Sequence, residues 1–169
     1  MTGLSIPDQF YWVLRAPAPL AGMAWPGEVP WSELGATGFQ HVVCLASERP
    51  AYDPTPLHLL AAVRLDDNYG GRSPRDPERD RAVTTSVVCA VLDALARGEG
   101  VVIHCQGGTG RTGTVLGCLL RALGHTPAQV LKYFQLLNAA RGRQSSGWPE
   151  SDWQRMLVSG FSIRASSEL

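Results

Sequence analysis

The stretch from Val101 to Gly113, Val-Val-Ile-His-Cys-Gln-Gly-Gly-Thr-Gly-Arg-Thr-Gly, constrains the fold more than any other part of the chain. Its apolar start, Val101–Ile103, reads as a strand buried on both faces, which requires other elements packed above and below it. Gly107, Gly108 and Gly110 then allow a sharp turn whose successive N–H groups point into one concavity, a nest for an anion. The turn opens into a segment of helical spacing, Thr112–Leu123, ended by Gly124. A helix N-terminus adds unpaired N–H groups and a positive dipole end to the same concavity.

The rest of the chain supplies the layers. Strand-length apolar runs lie at Phe10–Val13, Leu20–Met23, His41–Leu45 and Leu59–Leu65. Trp31–Thr37 reads as a short helix ended by Gly38. Asp76-Pro77 reads as an N-cap with proline in the first turn, opening a helix to about Ala96. Thr126-Pro127 caps another helix, and a last one is expected from Pro149 to Val158. Strands alternating with helices predict an α/β fold, a central mostly parallel sheet flanked by helices. The length of 169 residues suits a single domain over 1–169, with a core at about 10–158, a loose arm over the first nine residues and a frayed tail at Ser162–Leu169. The Gly/Pro-rich segment Asp66–Pro77 is a long loop, of a kind that in compact domains usually serves function.

Fifteen Lys+Arg balance fifteen Asp+Glu. A net charge of zero argues against a nucleic-acid or membrane-surface partner, which would draw on a basic excess. The charge is unevenly spread, however. From Gly100 to Pro149 there are five basic residues and no acidic one. No run approaches the roughly 20 apolar residues of a membrane span, and no secretory signal is visible. The four cysteines, Cys44, Cys89, Cys105 and Cys118, have no CxxC or zinc spacing, so a reduced, cytoplasmic protein is expected. His41, His58 and His125 lack ligand-like neighbours, and neither a metal nor a cofactor is expected.

Three anion sites compete for the glycine-rich turn. Gly108-x-Gly110-x-x-Gly113 matches a dinucleotide fingerprint, but that site needs an acidic residue about 20 positions further on. None occurs between Glu99 and Glu150. A nucleotide-triphosphate loop needs a lysine that this turn lacks. A covalent phosphate site accounts for every unusual residue. Cys105 and Arg111 bracket five residues, so a loop wrapped around a tetrahedral anion brings thiol and guanidinium to it together. The N–H nest and nearby cation favour thiolate over thiol at Cys105. Arg111 can hold two phosphate oxygens bidentately, which lysine cannot. Thr112 offers a hydroxyl to the sulfur as leaving group.

His104-Cys105-Gln106-Gly107-Gly108-Thr109-Gly110-Arg111-Thr112 resembles the His-Cys-x5-Arg-Thr signature of the cysteine-dependent protein tyrosine phosphatase superfamily, in particular its small atypical dual-specificity members. The similarity extends weakly through Phe10-Tyr-Trp-Val, Leu20-Ala-Gly-Met and His41-Val-Val-Cys-Leu. The resemblance implies hydrolysis of a phosphotyrosine, and of a phosphoserine or phosphothreonine as well, in a phosphoprotein or a simple phosphate ester, through a cysteinyl-phosphate on Cys105. The loop from Gln106 to Arg111 would bind the phosphate, and His104 would brace the loop without transferring a proton. Phosphoinositides, RNA 5′-phosphates and non-catalytic phosphopeptide binding are the alternatives. Lipid and RNA relatives usually carry basic residues inside the loop, whereas Gln106 and Thr109 are neutral.

Family members also carry a general acid, an Asp, on a loop about 30 residues before the cysteine. Here Val63-Arg-Leu-Asp-Asp67 places Asp67 at that position, which would protonate the leaving oxygen and later act as base on water. Asp66 stands one residue short, and Asp76 fits the usual distance but looks like an N-cap. Tyr69 and Arg72 are candidate rim residues of the longer loop. Relatives often show Arg-Pro-Gly-Ser and then a Gln that positions water. Arg141 matches that arginine, but Glu150-Ser151 stand where the Gln would be. Cys44 or Cys89 is a possible disulfide partner for Cys105 under oxidation.

Overall fold

A computed structural model describes residues 10–163. The arm over the first nine residues, and the tail from residue 164 onward, lie outside the described residues. Five strands form one sheet: β1 (Phe10–Leu14), β2 (Leu20–Met23), β3 (Phe39–Cys44), β4 (His58–Ala62) and β5 (Gly100–His104). Their spatial order is β1-β2-β5-β3-β4; β1 pairs antiparallel with β2, and the other pairings are parallel. The helices are α1 (Trp31–Ala36), α2 (Pro77–Ala96), α3 (Gly110–Ala122), α4 (Pro127–Ala140) and α5 (Asp152–Ser159). The expected mostly parallel α/β sandwich is the fold observed.

β5 lies at the centre because all five of its residues are buried and both its edges are paired. Its alternating side chains go to two cores. Val101 and Ile103 enter the larger one, with Val88, Val91, Leu116, Leu119 and Leu157 from the helices. Val102 faces the smaller one, with Met23, Leu34, Phe39 and Val42 on the α1 side. The same alternation sends Cys105 to the first face and His104 to the second. Register aligns Met23, His104 and Cys44, so β2, β5 and β3 end at one level. The crevice beyond the carboxyl ends of a parallel sheet is where such folds bind ligands.

Several boundaries differ from expectation. β4 ends at Ala62 rather than Leu65; beyond it Arg64 makes an isolated antiparallel bridge with Ala46, and the chain leaves the parallel ladder. α3 begins at Gly110, two residues before Thr112, because the glycine-rich turn winds directly into the first helical turn. α5 begins at Asp152 and not Pro149, since Ser151 takes the cap and its Oγ accepts from the Gln154 N–H. α2 and α4 start where the sequence placed them. Asp76 accepts from the Arg79 N–H, and Thr126 forms a capping box with Gln129.

Candidate active site

The turn between β5 and α3 is held from three sides. The Trp25 N–H donates to the Gln106 carbonyl at 2.9 Å, and the Leu45 N–H to the His104 carbonyl at 2.9 Å. The Tyr11 hydroxyl donates to the Gly108 carbonyl at 2.8 Å, and Arg141 approaches the same oxygen at 3.4 Å. Arg141 lies over the Tyr11 ring, 4.4 Å from its centroid, so the two side chains brace the loop as one unit. Arg143 donates to Thr109 Oγ1 at 2.7 Å. Of the three loop glycines only Gly108 has a positive φ, +67°; a Cβ there would lie 2.5 Å from the Ala24 nitrogen.

His104 has no exposed surface and braces the loop from below. Its Nδ1 lies 3.2 Å from the Cys105 carbonyl, which can only accept, so Nδ1 carries the proton. Nε2 then accepts from the Tyr52 hydroxyl at 2.5 Å. Burial pushes the Tyr52 phenol up, keeping it a donor. Burial also pushes His104 down to about 4, with the Arg111 charge adding to that effect against the opposing hydrogen bond to Cys105. A neutral, hydrogen-bonded histidine suits the supporting role expected of it. Trp25 and Trp31 pack around Tyr52 and complete an aromatic layer under the loop.

Above the loop lies a cleft of about 320 Å³. Cys105, Gln106, Gly107, Thr109, Gly110 and Arg111 line it together with Asp67, Tyr69, Arg143 and Glu150. Arg111 is largely covered, 12% exposed, and donates to Asp67 Oδ2 at 3.4 Å. Thr112 is fully buried in the first turn of α3, its Oγ1 without a hydrogen-bond partner among the described residues.

Of the three carboxylates considered for the acid, Asp67 alone lines this cleft. Asp66 turns into a neighbouring cavity of about 500 Å³, where hydrogen bonds from the Arg75 side chain and backbone hold its carboxyl below the usual range. Asp76 is spent capping α2. The neighbouring cavity shares Asp67, Gln106 and Arg111 with the cleft and carries Arg64, Arg72 and Arg75 on its far side. Tyr69, 65% exposed, stands at the cleft rim. Cys44 is in register with His104 and therefore projects from the face opposite Cys105, which removes it as a disulfide partner.

Sequence reasoning missed Tyr11, Tyr52 and Arg143, whose distance in the chain from the loop leaves no local signal. It noted Glu150 only as a departure. Yet Glu150 is the first acidic residue after the acid-free stretch, and the structure sets it in the cleft. Burial raises its carboxyl above the usual carboxylate range, the Asp67 charge raises it further, and Arg111, a hydrogen bond with Gln154 and Arg143 partly offset both.

Among the described residues no cluster of three or more His, Cys, Asp and Glu forms a metal site, and no helix is long and apolar enough to cross a membrane. A family model described as a Swiss Army Knife protein, DSP-PTPase phosphatase domain, matches residues 7–151. The putative tyrosine phosphatase 067L of Invertebrate iridescent virus 3 is 31% identical over 102 residues, 56% of this chain. The match covers 42% of that viral relative, so the chain spans well under two thirds of its length. Human DUSP28 is similar in structure with a TM-score of 0.58 at 21% identity, over 88% of this chain and 92% of that one. PTPMT1 in complex with PI(5)P gives a TM-score of 0.64 at 15% identity, over 90% and 93%.

Proposed function

The chain belongs to the dual-specificity (DSP-PTPase) family of cysteine-dependent phosphatases, and from that premise we propose that it hydrolyses phosphomonoesters of proteins through a cysteinyl-phosphate on Cys105. The observation that carries this reading is the meeting of Cys105, Arg111 and Asp67 in one cleft, although Asp67 and Cys105 are 38 positions apart. Cys105 attacks phosphorus in line with the leaving oxygen, Asp67 protonates that oxygen, and sulfur takes the phosphoryl group. Arg111 leaves its long contact with Asp67 to hold two equatorial oxygens. The N–H groups from Gln106 to Arg111 and the start of α3 stabilise the charge that develops on them. Thr112, whose hydroxyl has no hydrogen-bond partner among the described residues, would turn to donate to the sulfur when water attacks.

The substrate reading rests on charge. Inside the loop Gln106 and Thr109 are neutral, which suits one phosphate rather than a polyphosphorylated headgroup. The arginines sit outside it, Arg64 and Arg72 on the adjoining cavity, where acidic residues flanking a phosphorylated side chain would lie. The PI(5)P complex of PTPMT1 supplies the second reading, a phosphoinositide. A panel of phosphotyrosine and phosphothreonine peptides against phosphoinositide vesicles separates the two. In the chemical test, Cys105→Ser abolishes hydrolysis of an aryl phosphate, and Asp67→Ala lowers it by roughly 10²-fold and flattens the basic limb of the pH profile. Full activity in Cys105→Ser would refute the mechanism.

A further inference from the structure

Glu150 stands outside the signature loop, yet its backbone is held from two sides. Its backbone N–H donates to Gln154 Oε1 at 2.7 Å, and its carbonyl accepts from the Gly71 N–H at 3.0 Å. Gln154 is fully buried, and its Nε2 reaches Asn68 Oδ1 at 3.5 Å, the residue next to Asp67. The two carboxylate-bearing segments are thereby tied to each other through α5. The Glu150 carboxylate rests against the Gly110 backbone so closely that a Cβ on Gly110 would fall 1.7 Å from Oε2. Glu150 is therefore aimed into the cleft at the first turn of α3.

The two acids meet different surroundings. Asp67 is 59% exposed and paired with Arg111. Glu150 is half-buried and takes part in none of the ion pairs among the described residues. The charges facing it are Asp67 from the acid loop, Arg111 from the signature loop and Arg143 from the α4–α5 connection; the titratable Cys105 lines the same cleft, and Gln154 of α5 faces it as a neutral hydrogen-bonding group. A desolvated carboxylate outside any ion pair is a stronger base than one held by a guanidinium, because burial disfavours its charged form while a guanidinium favours it.

We propose that Glu150, and not Asp67, is the base that takes the proton from the water hydrolysing the cysteinyl-phosphate, so that the two carboxylates divide the proton transfers of one turnover. The assignment rests on the cysteinyl-phosphate reading above. In the first step Asp67 gives its proton to the leaving oxygen. In the second, the water oxygen bonds to phosphorus while the S–P bond breaks and its electron pair returns to Cys105 as thiolate. The water proton goes to a Glu150 carboxylate oxygen and inorganic phosphate leaves. The proton then passes from Glu150 across the cleft to Asp67, which restores the starting state with no other reactant.

The test is rapid mixing of the full chain with p-nitrophenyl phosphate, followed by acid quench to count phosphorylated enzyme. In Glu150→Gln, which keeps the shape and a hydrogen bond to water but cannot accept a proton, the expected result is a burst of nitrophenolate near one per enzyme. Its rate should match wild type, and the steady rate after it should fall by about 10²-fold or more, with phosphoenzyme accumulating. Glu150→Asp, which retains a carboxylate, should recover part of that steady rate. Asp67→Asn should slow the first phase, most with phenyl phosphate, and accumulate no phosphoenzyme. Unchanged steady turnover in Glu150→Gln, or equal slowing of both phases with no rescue by aspartate, would overturn the proposal while leaving the cysteinyl-phosphate intact. Active Cys105→Ser or a wild type that never carries phosphate would overturn both. A thermal unfolding temperature for Glu150→Gln at or above wild type shows that the loss is not one of folding. A raised carboxyl stabilises the fold only below its ordinary range and loses that contribution as pH rises. Replacing it should therefore raise stability at neutral pH, with the gain vanishing in acid.

Discussion

At the scale of the residue, the fold places one neutral histidine under Cys105 and makes its protonation expensive. His104 is lowered from 6.5 to about 4 by burial, so the unfolded chain binds its proton at a pH where the native one does not. The contribution to stability is present above pH 6.5 and is lost as pH falls toward 4, on the order of 3 kcal/mol in all. Tyr52→Phe removes the donor to Nε2 and leaves a buried acceptor unpaired, which should cost about 1–3 kcal/mol. Urea denaturation at a series of pH values measures both; a smaller fall of the midpoint from pH 7 to 4 in a His104→Gln variant than in wild type is the expected pattern. His104 was legible in the sequence because it adjoins Cys105. Its partner was not, because Tyr52 reaches it from a proline-rich loop 52 positions away, and only the packing of Trp25 and Trp31 brings it there. Cys105 and Arg111 were legible for the opposite reason: a five-residue spacing on one turn fixes their proximity without tertiary information.

At the scale of the element, the signature turn works because β5 is saturated on both edges and cannot shift, while Tyr11 of β1 and Arg141 at the end of α4 converge on the carbonyl of Gly108. Gly108→Ala forces a side chain into a left-handed conformation and against the backbone of Ala24. The expected cost is about 1–3 kcal/mol, with activity down by roughly 10²-fold as the N–H groups lose their aim. Gly107→Ala, where a Cβ meets nothing within 4 Å, is its control and should lose far less. Comparing kcat and unfolding midpoints of the two variants checks this. The starts of helices α2 and α4 were readable to the residue because their caps, Asp76-Pro77 and Thr126-Pro127, are written locally. The ends of β4 and α5 were not. Val63 and Leu65 look like continued strand, but the chain turns there toward the Asp66–Pro77 loop, and Pro149 mimics a helix start that Ser151 caps two residues later.

At the scale of the whole molecule, a net charge of zero conceals a focused cation site. Of the five basic residues between Gly100 and Pro149, Arg111, Arg141 and Arg143 gather at the loop, whereas Arg121 is tied to the His125 carbonyl and Lys132 is exposed on α4. Asp67 and Glu150 line the same cleft, and in the proposed reaction the positive charge would hold the phosphate while the two carboxylates would handle protons around it. The sheet order makes this possible by ending β2, β5 and β3 at one level beneath the cleft. The sequence carried the α/β sandwich and its parallel sheet through the alternation of elements. It did not carry the juxtaposition of the acid loop with the α4–α5 connection, which arises from Gln154, Asn68 and Gly71 meeting across the sheet end. Every role proposed for these residues depends on the covalent intermediate. Acid-quenching the enzyme during turnover of an aryl phosphate and mapping the phosphoryl group by mass spectrometry tests it most directly. One phosphoryl group is expected, on Cys105 and absent from Cys105→Ser; steady turnover with an unmodified Cys105, or phosphate on another residue, would refute the covalent mechanism.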